Sequence, residues 1–427
     1  MRTNFTPFIT TLYTTALALV VCYGLQYQHL LPVKRVDWLS NVRAQLPNTK
    51  NLAIYNKRKK QKTTPKTTLI TLPNYNPLEL YNTACLQLKQ GKRKHVRIAY
   101  FGDSMIEGDI LTEYLRTYLQ QLYGGAGVGF VPLTAVAAGY TANYRLTFSD
   151  NYAAFNFNVR DTAHHYTPYL SGYVFDVPAD NTATTKLTLY NTYSNCNFYL
   201  LGYNYANENK QLEISSNNQP KTLSIKPYEA FKQLIKPNTT TVNITLTQQQ
   251  NIAYYGIQTE ADTGIVLDNY AFRGSTGMNL ASISYNLLNK INKERPYDLV
   301  ILHYGLNIGT DDQQDFSNYQ RTMQRVIKYL KKATPQASYL IVSVGDKCVK
   351  RNKEWTSAPY IPYLIKTQQV LADSSGAYFF NLNTTMGGIG GMRTWATADT
   401  ALAQKDYTHI TSAGGKKVAQ ELVKVLK

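Results

Sequence analysis

The order of apolar runs along the chain most restricts its fold. Near both ends, runs with the composition of buried strands alternate with segments of helical periodicity. The first unit begins with a strand and turn at 96–104, VRIAYFGDS. The helix that follows is predicted to carry apolar residues on one face: Leu111, Leu115, Tyr118 and Leu122. It is predicted to stop at Gly124. Strand, turn and helix in this order are typical of a parallel α/β sheet.

The same alternation returns after residue 268. Strands are predicted at 297–305, 338–346 and 377–382. Helices are predicted at 316–333, 362–376 and 411–427. Another is predicted at 77–90, with Leu80, Ala84 and Leu88 on one face. In the helix at 316–333 the residues in register are Tyr319, Met323, Val326 and Leu330. The pattern predicts a doubly wound, flavodoxin-like parallel sheet with helices on both faces.

Between these two parts the residue composition of the chain is different. From 141 to 268, runs rich in β-branched and aromatic residues are separated by Asn, Gly and Pro. The clearest runs lie at 186–193, 196–203, 242–248 and 252–260. Because the α/β alternation precedes this stretch and continues after it, we expect an all-β, sandwich-like insertion in one α/β domain.

The amino-terminal residues predict attachment to a membrane. Residues 8–25 contain no charge, and eighteen residues are just enough to span a bilayer as a helix. No small-x-small site follows this run, and the neighbours of Cys22 fit a lipoprotein site poorly. We therefore expect an uncleaved signal anchor within 1–30. A buried soluble helix is the alternative interpretation.

The charges after this anchor and the expected site of catalysis favour opposite orientations in the membrane. The chain has 45 Lys and Arg against 27 Asp and Glu, a net charge of +18, and many of these cations follow the anchor. They include Lys34, Arg35, Arg43, Lys50, Lys57, Arg58, Lys59 and Lys60. The positive-inside rule would keep such a segment in the cytoplasm, although large domains are exported largely regardless of loop charge. We expect a single-pass inner-membrane protein whose catalytic domain faces the periplasm or the cell exterior. The basic tether at 31–95 then contacts anionic lipid or wall polymer, and no nucleic acid.

Three residues have the chemistry of a serine nucleophile and its activating base. Ser104 follows the first predicted strand, at the edge where open α/β sheets bind ligands. A serine hydroxyl needs a base to remove its proton, and His409 is the best candidate because Asp406 lies three residues before it. The other histidines have no carboxylate placed comparably: His29, His95, His164, His165 and His303. No cluster predicts a metal site or a cofactor.

An acyl-transfer site also needs donors for a developing oxyanion. Asn307 lies just beyond a predicted strand end, and its side-chain amide is one candidate. Gly274 and Gly277 lie in a loop where the backbone can approach a substrate closely. Both glycines stay open as the amide donor, and Gly277 is preferred for its position in the loop.

The order of these residues resembles the SGNH (GDSL-type) hydrolase superfamily. The matching segments are Gly102-Asp103-Ser104, Gly277, Gly305-Leu306-Asn307 and Asp406-Tyr407-Thr408-His409. The resemblance covers about 96–427 and is closest to peptidoglycan O-acetylesterases, which carry a carbohydrate-binding-module-like β domain. It implies domain parts at 96–140 and 269–427 around the insertion at 141–268. It further implies Ser104, His409 and Asp406 as the triad, with Ser104, Gly277 and Asn307 as oxyanion donors. Ile308 departs from the common Asp after the Asn.

The resemblance implies an esterase that removes acetyl groups from a cell-wall or extracellular glycan, without a cofactor. An O-acetyltransferase with the same triad is the alternative, because sugar instead of water would then reach the acyl-enzyme. Such an enzyme would collect acetyl groups from a membrane acyltransferase partner. A third hypothesis is an inactive glycan-binding protein, against which the intact Ser104, Asp406 and His409 argue.

Overall fold

A computed structural model describes residues 76–134, 141–190 and 196–427. The predicted anchor at 1–30 and most of the tether at 31–95 lie outside these residues. Across the described part of the chain, no helix is both long enough and apolar enough to cross a bilayer.

The helices and strands of these residues are numbered in chain order. The strands are β1 (His95–Gly102), β2 (Gly129–Pro132), β3 (Tyr144–Phe148), β4 (Ala153–Asn156), β5 (Tyr173–Asp176), β6 (Thr182–Leu189), β7 (Cys196–Asn204), β8 (Lys210–Ser216), β9 (Gln219–Ile225), β10 (Ala230–Thr239), β11 (Thr241–Thr247), β12 (Ile252–Glu260), β13 (Gly264–Ala271), β14 (Leu299–His303), β15 (Ser338–Val342), β16 (Cys348–Arg351), β17 (Glu354–Ser357) and β18 (Tyr378–Phe380). The helices are α1 (Glu79–Lys89), α2 (Thr112–Tyr123), α3 (Tyr285–Glu294), α4 (Ser317–Ala333), α5 (Ile361–Ser375), α6 (Leu382–Thr385), α7 (Gly391–Thr397) and α8 (Ser412–Leu426).

A five-stranded parallel sheet forms the centre of the α/β part, in the order β13-β1-β14-β15-β18. Strands β1, β14 and β15 are buried along nearly their whole length, which explains why the sequence shows them as continuous apolar runs. Helices α1, α2 and α8 contact one another, and α3, α4 and α5 form a second contacting group. The predicted α/β fold with a parallel sheet is confirmed.

The β-rich part consists of two antiparallel sheets. One has the order β10-β7-β12-β5-β4 with β2 paired to β12, and the other has the order β3-β6-β11-β8-β9. Their inner faces share a hydrophobic core of their own, in which Leu187, Phe198 and Ile244 are fully buried. We call these two sheets the β module. Strand β13 leaves the module and joins the central sheet, so the expected boundary at 268 falls inside this strand.

Buried ion pairs join the β module to the central sheet. Glu260, at the end of β12, accepts a hydrogen bond from Arg97 of β1 at 3.1 Å and another from Lys232 of β10. Arg295, which follows α3, donates to Asp268 of β13 at 3.1 Å. Burial works to raise the pKa of Glu260, but these cations outweigh it and lower the pKa to about 2. The network therefore stays charged at neutral pH.

Two predicted helix faces differ from the structure by one position. In α2 the buried apolar residues are Leu115 and Leu119, whereas Leu122 is exposed. In α1 Tyr81 is buried and Leu80 is exposed. A straight α-helix turns about 100° per residue, so positions spaced by four, as at Leu80 and Leu88 of α1, drift off one face, whereas Leu122 lies in the last turn of α2. In α4 the predicted register of Tyr319, Met323, Val326 and Leu330 is confirmed.

Candidate active site

The carboxyl end of β1 places Ser104 at the edge of the sheet. Gly102 ends the strand, and a Cβ on it would lie 2.8 Å from the Ile106 side chain and 3.0 Å from the carbonyl oxygen of His303. Glycine thus lets the end of β1 pack closely against β14 and the Ile106 side chain. Ser104, two residues later, is half-buried and faces the loop that follows α7.

That loop presents His409 and Asp406. Ser104 Oγ lies 2.9 Å from His409 Nε2, and His409 Nδ1 lies 2.6 Å from Asp406 Oδ2. Both distances are within hydrogen-bond range. The structure therefore brings together the three residues that the sequence suggested for a nucleophile, a base and an orienting carboxylate. Deprotonation of Ser104 by His409 is possible in this geometry without any rearrangement.

The Asp406–His409 segment is a tight turn with its own internal bonds. Asp406 Oδ1 accepts the backbone N–H groups of Thr408 at 2.9 Å and His409 at 3.0 Å. Tyr407 between them has a φ of 53°, which is uncommon for a residue with a side chain. Its ring stacks on Trp355 of β17 with a centroid distance of 4.7 Å. The sequence predicts no role for either aromatic residue, because no local pattern relates Trp355 to a turn that lies far away in the chain.

The carboxylate of Asp406 is held in its charged form. Partial burial works to raise its pKa, but hydrogen bonds from the His409 ring and from the backbone of His409 and Thr408 outweigh this, so the pKa lies below its usual value. An ionised Asp406 accepts the Nδ1 proton of His409. The lone pair of Nε2 is then free to receive the serine proton.

Asn307 lies in the loop after β14, as predicted. Its Nδ2 donates to the backbone oxygen of Ser275 at 3.1 Å and to Asp103 Oδ2 at 3.4 Å. Asp103 is buried directly before Ser104, and its Oδ1 accepts the Met105 N–H at 2.9 Å. Burial raises the pKa of Asp103 to about 6, although backbone N–H groups of Met105, Gly305 and Leu306 donate to it. Asp103 therefore connects the Ser104 turn to the Asn307 loop, a role that the sequence analysis did not assign.

The choice between Gly277 and Gly274 as amide donor stays a prediction. The Gly277 N–H donates to Ser275 Oγ at 3.0 Å. Gly277 has a φ of 84°, and a Cβ there would lie 2.7 Å from the Tyr304 ring. Glycine is therefore needed at 277 for backbone conformation and close packing. Gly274, with a φ of 75°, has no acceptor for its N–H among the described residues, and it stays open as the alternative donor.

The remaining histidines of the described residues lie elsewhere. His303 is buried in β14, and burial lowers its pKa to about 3, so it stays neutral. His95 contacts the backbone oxygen of Ala261 at 2.9 Å, which accounts for one ring nitrogen. His164 stacks on Tyr166 in the β module. Among the described residues, no group of three or more His, Cys, Asp or Glu is arranged to hold a metal ion.

The site as a whole has the parts of a serine acyl-transfer centre. A serine oxygen is hydrogen-bonded to an imidazole, and the imidazole is hydrogen-bonded to a charged carboxylate. The Asn307 side-chain amide belongs to the loop after β14, and the Gly274 and Gly277 backbone amides belong to the loop after β13, the two strands that flank β1. Such an arrangement can attack a carbonyl carbon and stabilise negative charge on its oxygen.

Comparison with known proteins supports this fold. No protein-family model matches the chain, and no curated protein sequence matches it. A solved structure of a peptidoglycan O-acetylesterase matches with a TM-score of 0.65 at 20% sequence identity, covering 81% of this chain and 95% of that one. This coverage includes the β module together with the α/β part.

Two more solved structures match over a smaller part of the chain. An acetyl xylan esterase matches with a TM-score of 0.31 at 17% identity, covering 38% of this chain and 82% of that one. A GDSL-like lipase from Parabacteroides merdae matches with a TM-score of 0.30 at 13% identity, covering 38% of this chain and 74% of that one. The likeness to the peptidoglycan O-acetylesterase spans nearly that whole chain and shows that the two proteins share a fold. The relationship to the SGNH hydrolases stays a prediction.

Proposed function

We propose that this protein is a serine esterase that removes O-acetyl groups from a cell-wall or extracellular glycan. One observation carries the proposal: Ser104 Oγ, His409 and Asp406 form a continuous hydrogen-bonded chain at the carboxyl edge of the sheet, with distances of 2.9 Å and 2.6 Å. A structural role alone would not require a half-exposed serine to face an imidazole that is oriented by a carboxylate.

In the first half of the reaction, Ser104 Oγ attacks the acetyl carbonyl carbon while His409 Nε2 takes the serine proton. Negative charge then develops on the carbonyl oxygen. In this proposal the Ser104 N–H, the N–H of Gly277 or Gly274, and Asn307 Nδ2 donate to it. His409 next gives its proton to the sugar oxygen as the bond to the acetyl carbon breaks. The products are a free sugar hydroxyl and an acetyl group bonded to Ser104 Oγ.

In the second half, water replaces the sugar. His409 removes a proton from the water, whose oxygen attacks the acetyl carbon of the acyl-enzyme. The tetrahedral intermediate collapses, Ser104 Oγ leaves with the proton held by His409, and acetate is released. Asp406 stays ionised throughout and stabilises the imidazolium each time it forms. Every proton transfer uses side chains of this chain.

The glycan substrate is supported by the likeness of the whole fold to a peptidoglycan O-acetylesterase, including the β module. O-acetylated peptidoglycan is therefore the first substrate to test. The full chain, purified in mild detergent, should release acetate from O-acetylated peptidoglycan and from 4-nitrophenyl acetate. Absence of acetate from both esters, with no labelling of Ser104 by a fluorophosphonate probe, would contradict the proposal and would support an inactive glycan-binding protein.

The same experiment separates hydrolysis from transfer. An unacetylated glycan is added as acceptor together with 4-nitrophenyl acetate, and acetate and acetylated glycan are both measured. An esterase gives acetate as the main product at every acceptor concentration. If acetylated glycan becomes the main product, the acyl-enzyme transfers its acetyl group to sugar, and the protein is an O-acetyltransferase.

We also propose that the chain is held at the inner membrane by residues 8–25, with the catalytic part in the periplasm. The support is the uncharged run in the sequence, while the basic segment after it favours the opposite orientation. Alkaline phosphatase fused to Lys427 should be active, and a fluorescent protein that folds only in the cytoplasm should be dark. The reverse pair of results would refute the exported orientation.

A further inference from the structure

A cavity of about 200 Å³ lies between the β module and the central sheet. The module contributes aromatic side chains to its lining, namely Phe130 of β2, Tyr144 of β3 and Tyr173 of β5. The other side is formed by Ala271 at the end of β13 and by the turn around Glu107. The module thus lines a cavity shared with the catalytic part, in addition to packing against it.

This cavity lies next to the candidate active site. Ala271 pairs with Gly102 in neighbouring parallel strands, which are about 4.8 Å apart. Gly102 is two residues before Ser104, and Glu107 is three residues after it. Arg273, which also lines the cavity, directly precedes Gly274. A group bound in the cavity therefore lies beside the end of β13, the strand next to the one that carries Ser104.

The chemistry of the lining differs from one end to the other. At the exposed end Arg273 and Glu107 form an ion pair, and the charges of both influence the hydroxyl of Tyr173. At the buried end Asp109 and Arg116 form a second ion pair at 2.7 Å. Aromatic rings also line the cavity, and the Tyr173 ring is packed against Phe272 at a centroid distance of 5.3 Å. The walls therefore combine apolar faces with hydrogen-bonding groups.

We propose that this cavity binds one pyranose ring of the glycan, next to or carrying the acetyl group that Ser104 attacks. The inference rests on the proposed esterase function and adds the site that recognises the sugar. A pyranose has apolar faces that suit aromatic walls, and hydroxyl groups that donate to carboxylate and phenol oxygens. The volume is below the ~300 Å³ at which pockets for drug-sized ligands begin, so it fits a single ring.

The test compares an ester that carries a sugar with one that does not. The substrates are O-acetylated chitotetraose and 4-nitrophenyl acetate, and the measured quantity is the ratio of their kcat/KM values. Tyr173→Ala removes an aromatic wall, and Glu107→Gln removes a charge without changing shape. Tyr228→Ala is the matched control, because Tyr228 is an exposed tyrosine of the same module and does not line the cavity.

We expect Tyr173→Ala to lower the ratio about tenfold and Glu107→Gln to lower it about fivefold, mainly through KM for the sugar ester. Tyr228→Ala should keep the wild-type ratio. A ratio within twofold of wild type in both cavity variants would overturn the subsite, as would an equal loss on both substrates. Glu107→Gln keeps the test valid if Tyr173→Ala does not fold. If the wild type cleaves neither ester, the esterase function fails, which is distinct from failure of the subsite.

Discussion

Asp103 Oδ2 lies 3.4 Å from Asn307 Nδ2, so a buried carboxylate next to the nucleophile holds the candidate oxyanion amide in place. The second Nδ2 contact, to the Ser275 oxygen, is shorter at 3.1 Å. A contact of 3.4 Å is long for a hydrogen bond, and an oxyanion can therefore compete for that N–H. Asp103 is a positioning residue in this arrangement, because it acts on the substrate only through Asn307.

Asp103→Asn should lower kcat by about 10²-fold with little change in KM, since the Asn307 amide would face another donor and move. The measurement is steady-state hydrolysis of 4-nitrophenyl acetate by the full chain. Asp399→Asn, at an exposed position after α7, is the matched control and should behave as wild type. A fall confined to KM would show that Asp103 affects substrate binding instead of amide placement.

The stability of the same variant should depend on pH. The folded pKa of Asp103 is about 6, above its usual value of 3.8, so the wild type loses stability as pH rises between these values. A difference of about two between the folded and unfolded pKa values means that the wild type loses about 3 kcal/mol of folding stability as the pH rises. The Asp103→Asn variant has no carboxyl group at this position and does not lose this stability. The free energy of unfolding in urea is measured for both proteins at pH 3.5 and pH 7. The variant should gain on the wild type by this additional amount at pH 7. Asp406, whose pKa is shifted downward, is common to both proteins and cancels in the difference. An equal difference at both pH values would contradict the assignment.

Ser104→Ala should lower kcat for acetate release by about 10⁴- to 10⁶-fold while the protein stays folded, because Ser104 is the hydroxyl that contacts His409 Nε2 among the residues that the structure describes. Ser224→Ala, at an exposed position of β9, is the control and should keep full activity. Residual activity above one hundredth of wild type would mean that a water, and not Ser104, attacks the ester.

Asp406→Asn should lower kcat by about 10²- to 10⁴-fold, because an amide can donate to His409 Nδ1 and favour the wrong tautomer. The turn should survive, since the Asn oxygen can still accept the backbone N–H groups of Thr408 and His409. Activity and thermal unfolding are measured together. A lost turn would instead show itself as a lower melting temperature along with lower activity.

The two glycines of the oxyanion loop should respond differently to alanine. Gly277→Ala meets the Tyr304 ring at 2.7 Å and should cost about 2–4 kcal/mol of stability. At Gly274 a Cβ meets nothing within 4 Å, so Gly274→Ala should cost only about 1–2 kcal/mol from its positive φ while lowering kcat at least tenfold. Unfolding and kcat are measured for both variants. A larger fall of kcat in Gly277→Ala, measured where both variants are folded, would identify Gly277 as the donor.

The site residues show which parts of the structure can be predicted from the sequence. Ser104, Asp406 and His409 are recognisable because each belongs to a short local motif whose spacing fixes its geometry. The choice between Gly274 and Gly277 is not local, because it depends on where Tyr304 and Ser275 Oγ lie after folding. The cavity lining likewise cannot be predicted from the sequence, because Tyr173 and Glu107 come together only when the β module packs on the sheet. The predicted elements were therefore more accurate than the predicted contacts.

The position of β1 in the sheet has a consequence for how the chain is made. Both neighbours of β1, β13 and β14, come later in the chain, and the whole β module lies between β1 and β13. Closing so long a loop costs entropy unless the module has already drawn its ends together, which the pairing of β2 with β12 accomplishes. During synthesis β1, the strand before Ser104, therefore stays unpaired at both edges until the β module is complete. In that interval the apolar strand β1 is open to pairing with the wrong segment.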